Sequence, residues 1–209
     1  MTLSGYVIVV ADKNGKDLYG VLKEKYVNDD WANVILSSES YDFDESNIHI
    51  LVGDTVEIDE KINKASGIVI DLSDSKIMDM INSTDDLAIV RNQLIDGITL
   101  HKDILVGVDY IDIQCVLQGH NNISVGIIRS KSTFDASDLV NKLIAKAKVD
   151  ISRCKSAYLY VDGDIGLMGA NELANALRAS MLDGTNIVYA VSYDSSVVDE
   201  FYVMVLFGN

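Results

Sequence analysis

The stretch from Ser83 to Ile113, STDDLAIVRNQLIDGITLHKDILVGVDYIDI, constrains the fold more than any other part of the chain. Leu87, Val90, Leu94 and Ile98 recur at helical spacing, which predicts a long helix with one apolar face. Ser83 or Thr84 can cap it, and Asp85 and Asp86 load its first turn with negative charge. Gly97 lies inside it, a small local cost that packing can override. The helix fades near His101 and Lys102, where cations suit a helix end. Gly107 falls in a short loop. Asp109 and Asp112 follow, three residues apart, and project from one face of the next helix's first turn. Strand and helix patterns flank the stretch on both sides, so it reads as a spine between two halves.

Ahead of the spine, GYVIVVA (5–11), WANVIL (31–36), NIHILV (47–52) and GIVIDL (67–72) are short apolar runs, each a buried strand. Lys13 to Tyr26 carries Leu18, Val21, Leu22 and Tyr26 at helical spacing. Glu57 to Lys64 is a polar connection of one or two helical turns, and Asp74 to Ile81 a short helix. This is a β-α-β opening, the usual start of a parallel α/β domain. After the spine come a strand (123–128), an amphipathic helix (135–149) with Asp135 as cap, and a strand (157–161). A helix (169–182) and two closing strands (186–192, 201–207) complete the chain. That order predicts a small sheet with helices on one face, an α+β domain. The expected divisions are 1–82, an α/β half; 83–104, the linking helix; and 105–209, the second domain.

Composition narrows the function. The net charge is −15, which argues against a sequence-nonspecific grip on nucleic acid or anionic membrane. No apolar run approaches the roughly 20 residues that span a bilayer. The N-terminus lacks a basic leader, and the two cysteines, Cys115 and Cys154, show no metal or redox spacing. A cytoplasmic setting is expected.

Candidate sites are few. The turn after the first strand, Ala11-Asp12-Lys13-Asn14-Gly15, has one glycine, and Asp12 would repel a phosphate; ordinary turn chemistry accounts for Asn14-Gly15. His49, His101 and His120 are too scattered for a metal site. Asp162-Gly163-Asp164 reads as a turn, because Gly166 and Met168 supply no side-chain oxygen for calcium. Asp42, Asp44 and Glu45 form an acidic loop, read as a solvated surface. Asp109 can cap the helix it opens, and Asp112 can return a bond to the cap's backbone.

The second half of the chain resembles the FtsZ/tubulin family of cytoskeletal GTPases, FtsZ more than tubulin. QLIDGITLHKDILVGVDYIDIQCVL is similar to the family's central helix, the loop after it and the helix beyond. SAYLYVDGDIGLMGANELANALRASM resembles a strand, polar turn and helix of FtsZ, and GTNIVYAVSYDSSVVDEFYVMVLFGN its closing strands. GIVIDLSDSKIMDMI is similar to the last strand and short helix of the nucleotide domain. The resemblance covers Gly67 to Asn209; over Gly5 to Gly53 it is only a pattern of elements.

The resemblance implies an FtsZ-type fold with a reduced, Rossmann-like N-terminal half, and the departures shape the function. The glycine-rich first turn of FtsZ is reduced to Gly15, and no GGGTGTG-type run occurs anywhere. Aligned on Gly97-Ile98-Thr99, the family's guanine-contacting pair falls on Thr84 and Ala88, which offer neither a stacking ring nor an amide or carboxylate. The expectation is therefore no GTP and no other cofactor. In FtsZ the loop after the central helix carries Asn-x-Asp-Phe-x-Asp, whose carboxylates act on GTP held by the next subunit. Here it reads Gly107-Val108-Asp109-Tyr110-Ile111-Asp112, so the resemblance implies that Asp109 and Asp112 are catalytic carboxylates acting in trans. The expected partner is an FtsZ-family filament, with accessory binding or modulation as the role. The alternatives are a nucleotide-independent, self-associating structural protein, and a divergent GTPase with Gly53-Asp54-Thr55 as phosphate-loop remnant. FtsZ usually continues into a linker and anchor-binding peptide; the sequence stops at Asn209, so no direct membrane tether is expected.

Overall fold

Tyr6–Ala11, six buried residues without a charge, form strand β1 in the computed structural model. The structure describes residues 5–11, 17–39, 47–62, 67–83, 85–100, 104–120, 123–193 and 198–209. The turn at 12–16, the acidic loop with Asp42, Asp44 and Glu45, Thr84, His101 and Lys102 lie outside them. The chain divides into two compact units, Met1–Arg91 and Asn92–Asn209.

The first unit is a four-stranded parallel sheet. Strands β2 (Ala32–Leu36), β3 (Ile48–Gly53) and β4 (Ile68–Ser73) join β1 in the order β2-β1-β3-β4. Parallel strands need crossovers, supplied by α1 (Leu18–Lys25) and α2 (Thr55–Ile62), with α3 (Asp74–Met80) after β4. Val7, Val9, Ala11 and Leu51 pack against Ile58 of α2, while the alternate residues Ile8, Val10, Ile50 and Val52 are equally buried. Burial on both faces explains why these strands read as unbroken apolar runs. Two expectations shift. The helix of 13–26 starts at Leu18, because Asp17 caps it by accepting from the Gly20 N–H at 3.0 Å. The polar connection after β3 is a full eight-residue helix, α2.

The spine helix, α4 (Leu87–Thr99), begins later than expected. Of its acidic candidates, Asp86 takes the cap, accepting from the N–H groups of Ala88 at 2.8 Å and Ile89 at 3.2 Å. Asp85 instead turns back to the Asn82 N–H at 2.7 Å. After α4 comes β5 (Ile104–Val106), a three-residue strand that the apolar pattern did not disclose, then α5 (Tyr110–Leu117).

The second unit's sheet adds β6 (Ile123–Lys131), β7 (Ser156–Gly163), β8 (Asn186–Ser192) and β9 (Glu200–Gly208), in the order β5-β8-β7-β9-β6. Only β7 and β8 are parallel; the other pairs are antiparallel. Helices α6 (Ala136–Ala147) and α7 (Gly166–Ser180) bury one face, where Leu139, Leu143, Leu173 and Leu177 meet Leu159, Val161, Val203 and Phe207. The expectation of helices on one face is corrected here. Helix α5 contacts β7, β8 and β9, and Gly97 of α4 lies against Tyr160 and Met204 on that other face. All eight residues of β7 are consequently buried.

Gly97 has its reason in this packing. A Cβ there would lie 2.5 Å from Tyr160 Cδ1 and 3.0 Å from Met204 Cε. The Tyr160 ring is held by its hydroxyl, 2.8 Å from Ser192 Oγ. Tyr158 donates to the Gly97 carbonyl at 2.8 Å, satisfying one of the last carbonyls of α4. Gly97→Ala should therefore destabilise the protein by about 1–2 kcal/mol by overpacking, despite the gain of up to about 1 kcal/mol in helix propensity. Urea melts of the two proteins check the sign.

Candidate functional site: the loop between β5 and α5

Asp109 and Asp112 sit on a reciprocal cap. The Asp112 N–H donates to Asp109 Oδ1 at 2.9 Å, and the Asp109 N–H donates to Asp112 Oδ2 at 3.0 Å. Two of the helix's orphan donors are thereby satisfied, and both negative charges lie at the positive end of α5. Tyr110, between them, and Ile113, just after them, are buried. The capping reading of these acids is what the structure shows.

The cap does not hide the carboxylates. Both residues are exposed, and each uses one oxygen for the cap. The box fixes their side chains relative to one another, so a two-carboxylate surface is preformed. From Ile104 to Leu117 there is no lysine or arginine to neutralise it. Apolar residues flank it: Leu105 is 58% exposed and Ile111 62%. These two were not singled out from the sequence, although an isoleucine between two capping acids must point away from the buried face of α5. A Cβ at Gly107 would meet nothing within 4 Å, so packing does not impose glycine where FtsZ has asparagine.

Asp109→Ala should cost about 1 kcal/mol through the lost cap, whereas Asp109→Asn, an equally good capping residue, should cost little. Thermal melts of the two variants separate cap from charge.

The other nominated positions are accounted for individually. In the first unit the strand order reverses direction between β1 and β3, the place where open α/β sheets take ligands beyond their carboxyl ends. There Gly53 has φ +98, and the Asp54 N–H donates to the Ala11 carbonyl at 3.2 Å. Asp54 accepts from the Val56 N–H at 3.0 Å, and so places its own carboxylate at the start of α2. Thr55 Oγ1 lies 2.8 Å from Ser75 Oγ. At the start of α3, Asp74 pairs with the buried Arg91 guanidinium at 2.6 Å. Ala88 is exposed on the first turn of α4.

His49 is buried in β3 with Nδ1 3.2 Å from the Ile68 carbonyl, and His120 Nε2 lies 2.9 Å from Ser156 Oγ. Asp162, the last residue but one of β7, accepts from Ser192 Oγ at 2.5 Å; Asp164 Oδ2 accepts from the Asp199 N–H at 3.3 Å. Among the described residues no three metal-ligating side chains converge. Cys154 is buried and donates to Asn209 Oδ1 at 2.9 Å; burial pushes its thiol pKa up. Cys115 is exposed on α5. Among the described residues no helix is long and apolar enough to cross a membrane.

The two sheets, the helix linking them and the loop-helix start define an FtsZ/tubulin-like fold, and solved structures agree. The chain is similar to an empty FtsZ dimer from M. jannaschii at a TM-score of 0.59 and 17% identity, covering 78% of this chain and 54% of that one. It is also similar to GDP-form TubZ protofilaments of Bacillus thuringiensis serovar israelensis, at a TM-score of 0.51 and 11% identity, covering 100% of this chain and 62% of that one. The chain thus spans a little over half the length of the FtsZ structure it matches. No family model matches it.

Proposed function

We propose that this FtsZ-like chain holds no GTP of its own and acts as a cytoskeletal accessory that binds or modulates FtsZ-type filaments. The observation that carries the reading is the loop: Asp109 and Asp112, fixed by their capping box, exposed, and flanked by Leu105 and Ile111. Such a surface suits docking on a partner, and a carboxylate within hydrogen-bond reach of a partner's attacking water could position it. The nucleotide side of the proposal is supported by Asp54, whose carboxylate stands at the helix start where a phosphate would have to bind. The sequence supplies no glycine run to replace it.

The test is a complete FtsZ with added chain, assayed for co-sedimentation and GTP turnover. Wild type should co-sediment and change the turnover rate. Asp109→Asn and Asp112→Asn, which keep the cap, should still co-sediment but lose the rate change. Neither binding nor a rate change with wild type would refute the proposal.

A second reading, nucleotide-independent self-association, is favoured by a different observation, the long outer edge of β6. A rebuilt GTP site is the remaining alternative, and Thr55→Ala with unchanged nucleotide affinity would remove Gly53-Asp54-Thr55 from it.

A further inference from the structure

The second unit treats its two sheet edges differently. At one edge, β5 is three residues long and its pairing with β8 is broken by a register shift. Short, irregular edges are how sheets avoid adding foreign strands. At the other edge, β6 runs nine residues in unbroken register with β9, from Ile123 opposite Gly208 to Lys131 opposite Glu200. It has no proline and no bulge, and its first six residues, ISVGII, carry no charge. Among the described residues no second strand lies along its outer side. The residues at its middle are already committed. Val125 and Ile127 are buried, and Gly126 lies so close to α6 that a Cβ would sit 2.6 Å from the Leu143 carbonyl. The backbone edge is what is left to pair.

We propose that β6 is a self-association edge, pairing antiparallel with β6 of a second copy about a two-fold axis at Ile127. The proposal rests on the self-association reading and not on the loop at Asp109. The charge pattern selects the direction. The strand's two cations, Arg129 and Lys131, lie at one end. Antiparallel pairing sets Arg129 opposite Val125 and Lys131 opposite Ile123 of the partner copy, so no like charges meet. Parallel pairing would set Arg129 on Arg129 and Lys131 on Lys131. Arg129 is already paired with Glu200 of the neighbouring strand β9, so the strand itself sets no strong charge against a second copy. A closed two-fold contact of this kind is isologous and stops at a dimer, joining the five-stranded sheets of the two copies into one.

The experiment is light scattering on chromatographed protein over a concentration series without nucleotide, with melts as the folding control. Wild type should reach a dimer, and added salt should strengthen it by screening the repulsion between two acidic copies. Ile123→Lys places like charges opposite each other twice in the dimer and should weaken association about tenfold. Adding Lys131→Glu to that variant should restore it, because the introduced ammonium then faces a carboxylate. A monomer at every concentration would overturn both the edge and the self-association reading. A dimer indifferent to Ile123→Lys, or one not rescued by the double substitution, would overturn the edge alone.

Discussion

Gly53→Ala should destabilise the first unit by about 3 kcal/mol or more, the combined cost of a left-handed backbone and a clash. Gly53 ends β3 at φ +98, a region that side chains with a Cβ rarely adopt. The Cβ would also sit 2.1 Å from the Ala11 carbonyl oxygen and 3.0 Å from its carbon. Both are backbone atoms of β1 and cannot swing aside. The same carbonyl accepts from the Asp54 N–H, so relief by local movement would break the bond that joins β3 to β1 at the carboxyl edge. Urea denaturation followed by circular dichroism gives the number. The glycine thus has a structural reason where the sequence suggested a phosphate-loop remnant.

Phe201→Ala should destabilise the second unit by about 3–5 kcal/mol, the usual cost of deleting a buried ring and leaving a cavity. Phe201 has no exposed surface, and its ring meets Phe134 edge-on with centroids 5.2 Å apart. Its strand, β9, lies between β7 and β6 in the sheet. Its backbone also packs closely on β7, 2.9 Å from where a Cβ on Gly163 would be. Phe201→Leu, which keeps most of the volume, should cost less than half as much. The same denaturation series compares the three proteins.

What was legible in the sequence follows from the range of the forces involved. Strands β1, β3 and β7 were legible because burial on both faces makes a parallel or central strand a continuous apolar run. The cap at Asp109 was legible because its spacing to Asp112 is local. The three-residue β5 was not, since Ile104-Leu105-Val106 alternates in exposure within too short a window to show a period. The start of α4 was misplaced because Ser83, Thr84, Asp85 and Asp86 are all capping types, and only geometry shows Asp86 taking the bonds. Helices on both faces of the second sheet escaped the sequence because the contact of Gly97 with Tyr160 joins residues far apart along the chain; periodicity carries no such information. At the site, the carboxylates were nameable from the loop pattern, whereas the exposed Leu105 and Ile111 needed the fold to show which way they face.

The central claim is that an FtsZ-like fold works here without a nucleotide of its own. A calorimetric titration of the purified protein with GTP and GDP tests it most directly. The account predicts no binding heat up to millimolar nucleotide, a level corresponding to less than about 4 kcal/mol of affinity. Saturable binding at micromolar concentration would contradict it, and would mean that a pocket is built beyond the carboxyl ends of β1 and β3 despite the carboxylate of Asp54.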